Sequence, residues 1–133
     1  MRFTVPGEPA GKGRPRMTRA GHAYTPKETA SYENLVKLEY QAQGGVRFGD
    51  GDMLRMDIHA FYSIPASDSK RKRKMKLEGA VRPTKKPDCD NVGKIIADAL
   101  NGIAYRDDAQ IVEMHIEKYY AGEPRVEVTI MEA

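Results

Sequence analysis

Residues 85–110 read KKPDCDNVGKIIADALNGIAYRDDAQ, and the fold turns on how this stretch is built. Val92, Ile95, Ile96, Ala99, Leu100 and Ile103 recur at the three- and four-residue spacing of one helix face, which predicts an amphipathic helix with that face in the core. Asp90 or Asn91 is the expected cap, where negative charge also suits the helix dipole, and Asn101-Gly102 the expected stop. Pro87 favours an extended Lys86 before it. If Asp88-Cys89-Asp90 is extended as well, the two carboxylates point to one side and Cys89 to the other, as a small buried residue. Asp90, Lys94 and Asp98 then lie four apart on the polar side, with Asp98 the expected partner of Lys94.

The same stretch carries two acidic pairs, Asp88/Asp90 and Asp107/Asp108. Two unit charges about 4 Å apart interact by roughly 4 kcal/mol at the effective dielectric of a protein surface. A divalent cation offsets such repulsion, and oxygen-only ligands suit Mg²⁺ or Mn²⁺. The helix from Asn91 to Asn101 is about 16 Å long, and the six residues after it can span roughly 20 Å, so the second pair can return to the first. A calcium loop is excluded. DCDNVG resembles the first half of an EF-hand, but Val92 and Ala99 stand at its fifth and twelfth positions, where oxygen ligands belong. The bland alternative makes the aspartates only caps and turn residues; two pairs flanked by basic residues and Lys94 weigh against it.

Outward from this stretch, QIVEMHIEKYY alternates, with Val112, Met114 and Ile116 on one side. Gly122-Glu123-Pro124 turns the chain, and Val126, Val128 and Ile130 mark a last strand. These two strands are expected to pair as a hairpin in the sheet on which the helix packs. Upstream, Leu54, Met56, Ile58, Ala60 and Tyr62 alternate with Arg55, Asp57, His59 and Phe61, a half-buried strand ended by Pro65. Asp57 and His59 are either site assistants or a solvated pair, the second being the default. Thr25-Pro26-Lys27-Glu28 has the form of a capping box opening a helix that carries Tyr32, Leu35, Val36, Leu38 and Ala42 inward and stops at Gly44-Gly45. Residues 2–5 form a short strand, and RMTRAGHAYT a small hairpin turning at Ala20-Gly21. The expected fold is α+β, one domain spanning 1–133, with a mixed sheet of about four strands in the order β-α-β-α-α-β-β.

Composition narrows the function. At 133 residues the chain holds one core. With 31% charged and 40% hydrophobic residues it has an ordinary soluble balance, no membrane span and no signal-peptide core. The lone Cys89 excludes an intrachain disulfide and fits a reducing cytoplasm, and His22, His59 and His115 show no zinc spacing. The net charge is only +3, yet the positive charges cluster. Ser67 or Ser69 can cap a helix ending at Gly79 that holds Lys70, Arg71, Lys72, Arg73, Lys74 and Lys76. Arg82, Lys85 and Lys86 directly precede the aspartates, and a Gly/Pro-rich loop carries Lys12, Arg14 and Arg16. Alone, the loop reads first as a solvated connection and the helix equally as a solvated surface. Set beside an acidic site, they read as phosphate-contacting elements of a nucleic-acid-binding protein.

KPDCDNVGKIIADALNG with the downstream DDAQI, and GKGRPR and YTPK near the N-terminus, resemble the RusA family of Holliday junction resolvases. The match covers most of the chain and is densest from Lys86 to Ile111. The resemblance implies a homodimeric, Mg²⁺-dependent endodeoxyribonuclease, with Mn²⁺ as a substitute, that resolves four-way DNA junctions by paired symmetric nicks in the cytoplasm of a bacterial or phage-infected cell. It implies Asp88, Asp90 and Asp108 as metal ligands, Lys94 as the essential lysine and Asp107 as an accompanying acid. Lys94 can stabilise developing charge, assist the leaving oxygen or position water. A nuclease of flaps or forks and a non-catalytic DNA-binding protein are the rival readings.

Overall fold

A computed structural model describes residues 1–133. In chain order the elements are β1 (Arg2–Pro6), β2 (Arg16–Met17), β3 (Ala23–Tyr24), α1 (Lys27–Ala42), β4 (Leu54–Ser63), α2 (Lys70–Leu77), α3 (Cys89–Ala99), a 3₁₀ turn (Asp108–Gln110), β5 (Ile111–Ala121) and β6 (Arg125–Glu132). The class is α+β, with a four-stranded mixed sheet ordered β1-β6-β4-β5 and a separate β2-β3 ribbon. The expected element order holds, and the ribbon is the hairpin read in RMTRAGHAYT, turned by Gly21 at φ +83°.

The alternation of β4 sets the two sides of the sheet. Leu54, Met56, Ile58, Ala60 and Tyr62 face α1 and α3 and are fully or almost fully buried, as residues two apart on one strand must be. Val92, Ile95, Ile96, Ala99 and Leu100 meet them from α3, and Phe3, Val5, Val126, Val128 and Ile130 extend the layer across β1 and β6. Ile96 has no exposed surface. Ile96→Ala should therefore lower stability by about 3 kcal/mol, the ordinary cost of an unfilled core site, as read from the urea midpoint at unchanged slope.

Four expectations about packing are corrected. β5 and β6 do not pair: β4 lies between them, parallel to β5 and antiparallel to β6. Three residues at up to about 3.5 Å each can cross two strand spacings, so a short turn did not require a hairpin. α1 opens at Lys27 with Pro26, not Thr25, in the capping position, its carbonyl accepting from the Ala30 N–H at 3.0 Å; there is no side-chain cap because proline has no side-chain oxygen to accept an N–H. Leu38 and Ala42 face outward, while Tyr40 of the same helix is fully buried with its ring edge-on to Phe3 at 5.0 Å. Val112 is exposed too; the register between β4 and β5 shifts at Leu54/Arg55 and leaves it opposite no residue, as in a bulge.

The other side of the sheet has no helix on it. Charges there satisfy one another. Arg55 meets Asp57 and Glu113, Arg2 and Arg125 both meet Glu127, and Glu117 meets His59 and His115. This is the solvated reading of Asp57 and His59. Glu117 also accepts the Tyr119 hydroxyl, and that bond, followed by the one to His115, holds its carboxyl down at about 2. A carboxyl depressed from 4.5 adds stability above pH 4.5 and loses it as pH falls toward 2. Tm should thus drop more steeply over that window in the wild type than in Glu117→Gln, as measured by thermal melts at stepped pH.

Candidate active site

Helix α3 begins two residues earlier than the earlier of the two expected caps, Asp90, allows. Asp88 occupies the cap position with an extended backbone, and Cys89 is already helical. The Asp-Cys-Asp triplet is consequently not a strand, and Cys89 is exposed instead of buried, its thiol turned toward the Ile116 carbonyl of β5. Tyr62 at the end of β4 donates its hydroxyl to the Pro87 carbonyl at 2.6 Å, which anchors the residue before Asp88 to the core. Asp90 then sits in the first turn, where the helix dipole favours its charge.

α3 lies close on β5. A Cβ placed on Gly93 would come 2.6 Å from the Ile116 side chain and 2.9 Å from the Met114 sulfur, so the glycine permits the approach. Between the two elements opens a cleft of about 320 Å³ lined by Asp90, Gly93, Lys94, Ala97, Asp108, Ile111 and Met114. Three residues implied by the resemblance, Asp90, Lys94 and Asp108, thus line one cleft. Asp88 does not line it.

Asp108 is carried by the 3₁₀ turn, and the turn is held by side chains. Its N–H donates to Asn101 Oδ1 at 2.8 Å. Gln110 Oε1 accepts the N–H groups of Arg106 and Asp107 at 3.0 and 3.3 Å, while its Nε2 donates to the Gly49 and Asp52 carbonyls at 2.8 and 3.1 Å. Sequence reading missed Gln110 and Asn101. A Gln three residues after an Asp is the capping-box signal that was available for Asp107–Gln110, and the box is formed.

Burial pushes the Asp108 carboxyl up to about 6, reinforced by side-chain hydrogen bonds with Asp98 and Asp107 and by their charges. Asp98 therefore belongs to this acidic group, and its cationic partner is Lys12 at 3.4 Å, not Lys94. Lys94 is exposed and makes no ion pair within 4 Å. Because Asp108 meets α3 at Asp98, it stands far from the start of that helix: Asp90 and Asp98 are about 12 Å apart along the axis, and Asp88 lies a further ~3 Å back. No three His, Cys, Asp or Glu side chains are gathered at metal-binding spacing.

The basic residues divide into two kinds. Lys70, Arg71, Lys72 and Lys74 are exposed on α2, as are Arg14, Arg16, Lys85 and Lys86 elsewhere, and Arg73 is half-buried. Ser69 caps α2 by accepting from the Lys72 N–H at 3.2 Å. Lys76 is turned inward, paired with Asp68 and lying 4.7 Å over the Tyr120 ring. Lys12 is likewise engaged, with Glu33 Oε2 at 3.0 Å and Asp98. Burial opposes its charge, but the hydrogen bond and charge of Glu33 and then Asp98 outweigh it and raise its pKa. Lys12→Ala should cost about 1–2 kcal/mol by leaving two half-buried carboxylates without a cation, measurable by denaturant unfolding.

The Endodeoxyribonuclease RusA family model matches residues 6–131, which contain the cleft, the basic helix and the N-terminal loop. The chain is also similar to a protein of Bacillus subtilis strain 168 named uncharacterized protein YqaN, at 39% identity over 137 aligned positions covering 99% of this chain and 96% of that one. No helix is long and apolar enough to cross a membrane. A match over nearly the whole chain, with Asp90, Lys94 and Asp108 in one cleft, settles the kinship: the chain belongs to the RusA family of endodeoxyribonucleases.

Proposed function

We propose that the protein is a Mg²⁺-dependent, structure-selective endodeoxyribonuclease that resolves four-way DNA junctions as a homodimer making paired nicks. The observation that carries this reading is the joint lining of one cleft by Asp90, Asp108 and Lys94, in a chain that also exposes basic residues on α2.

The donor set fits a hard cation. Asp90 and Asp108 offer only oxygen, and the crowding that raises Asp108 is what a divalent ion would relieve. Mg²⁺ keeps several waters and takes one or two carboxylates together with substrate phosphate oxygens, so a preformed three-carboxylate cage is not required. Asp108 would hold the ion at one end of the cleft, where Asp107 adds negative charge, while Asp90, about 12 Å away along α3, and Asp88 beyond it would act on it through water and substrate phosphate and not in one shared shell. When bound, the ion supplies charge stabilisation and an acidified water for phosphodiester hydrolysis.

The chain's own residues do the rest. Asp90 and Asp108 fix where the scissile phosphate can sit, and the apolar side chains of Ile111 and Met114 restrict water on one wall of the cleft. Lys94, free of any carboxylate, places its ammonium where negative charge grows on the phosphate. Lys70–Lys74, Lys85 and Lys86 supply sequence-independent affinity for the DNA backbone, so binding should weaken as salt rises. A two-fold dimer would match two such clefts to a two-fold junction.

The test compares wild type and Asp90→Asn on labelled four-way, forked and linear duplex DNA with and without Mg²⁺. Junction cutting that needs Mg²⁺ and disappears in the variant, with binding retained, is expected. Undiminished cutting by the variant would remove Asp90 from the metal site, and equal cutting of linear duplex would remove junction selectivity. A monomer mass by light scattering at working concentration would count against paired nicking.

A further inference from the structure

On the opposite side of Lys94 from the acidic cleft lies a second cavity of about 410 Å³, between α3 and the N-terminal loop. It is lined by Lys12, Gly13, Arg14, Pro15, Asn91, Lys94 and Asp98. Lys94 is the one residue common to both cavities.

The loop is locked onto α3 rather than laid over it. The Lys12 N–H donates to the Asn91 carbonyl at 3.2 Å, and the Gly13 N–H to Thr29 Oγ1 of α1 at 3.1 Å. A Cβ on Gly11 would fall 2.9 Å from Pro87 Cβ, and one on Gly13 would fall 2.5 Å from Thr29 Oγ1. Both glycines are therefore needed for the close approach. Lys12 spans Glu33 on α1 and Asp98 on α3, which gives the only carboxylate lining the cavity a shared cation. Lys12 is thus a strut. What remains unpaired at the cavity is Arg14, exposed and in no ion pair, together with Lys94.

We infer that this cavity seats a DNA backbone phosphate adjacent to the one in the acidic cleft, with Arg14 as its principal ligand and Lys94 reaching it across the shared wall. The inference rests on the nuclease reading and adds to it the path of the cut strand: over α3, from the Asp90/Asp108 cleft across Lys94 to the GKGR loop. Guanidinium suits the role because it offers paired donors to two phosphate oxygens and stays charged.

The experiment is a cycle between protein and DNA. Four-way junctions carrying a single neutral methylphosphonate at each position flanking the cut are bound, in Ca²⁺ to hold back cutting, by wild type and by Arg14→Ala, with Arg14→Lys as a charge-retaining control. One flanking position should weaken wild-type binding about as much as Arg14→Ala does, roughly 5–20-fold. At that position the variant should lose no more than about 2-fold further. The slope of log K against log salt should also fall by about 0.9 in Arg14→Ala and recover in Arg14→Lys. Losses that add at every flanking position would overturn the seat while leaving the nuclease reading intact. Failure of the wild type to bind junctions at all would overturn both.

Discussion

Asp108→Asn is expected to abolish Mg²⁺-dependent junction cutting, by about 10³-fold or more, while making the metal-free protein more stable. Both effects have one cause. The carboxyl is partly desolvated and, after that, crowded by Asp98 and Asp107, which raises it to about 6. A raised acid binds its proton more tightly in the folded state than in the unfolded one, so it favours the fold below the unfolded value near 3.8 and costs stability as pH rises through about 6. The amide removes that cost at pH 7 along with the charge that holds the cation. Metal-free melts at pH 5 and 7.5 should show the wild type losing Tm between them and the variant losing less. Mg²⁺ should raise the wild-type Tm at pH 7.5 by mass action and leave the variant unmoved. A variant that still cuts, or that melts below the wild type at pH 7.5 without metal, would contradict the assignment.

Lys94→Met is expected to lower the single-turnover cutting rate by 10²–10³-fold, the usual loss when one preorganised donor to a developing oxyanion is removed. Methionine keeps the length and the helix propensity, and Lys94 is exposed on α3 without an ion pair, so the fold should be untouched. The Mg²⁺-induced rise in Tm should persist in Lys94→Met, because Asp90 and Asp108 are intact. That separates it from the aspartate variants, in which cutting and the metal response fail together. A Lys94→Met protein that loses the Mg²⁺ response would place the lysine in support of the metal, not of the reacting phosphate.

Much of this was legible in one dimension because it depends on short-range periodicity. The α3 stripe is buried residue for residue from Val92 to Leu100, Ile103 lying past the helix end and only half-buried, and the alternation of β4 assigns its two faces correctly along its whole length. Both follow from a repeat of 3.6 or 2 residues and need no knowledge of the partner surface. The stop at Gly102, with φ at +76°, and the Ser69 cap of α2 are equally local.

What the linear reading misplaced depends on partners distant in sequence. A free valence at β4 decided that β5 and β6 flank it, a matter of which strand edges remain open, on which a three-residue turn is silent. The start of α3 moved to Cys89 because Tyr62 fixes Pro87 from the core side, and that shift exposed the cysteine. Charge partners were the least legible of all. Asp98 and Lys94 are four apart on one helix, yet Asp98 pairs with Lys12, 86 positions away in the chain; a locked loop delivers an ammonium at lower entropic cost than a free side chain on the same face. By itself, then, the stretch from Lys85 to Gln110 determined the helix, its buried stripe and the residues with chemistry to offer. The tertiary structure alone decided that Asp90, Lys94 and Asp108 share a cleft, that Asp88 stands apart from it, and that Lys12 is a strut, because each of these is set by where a distant segment comes to rest.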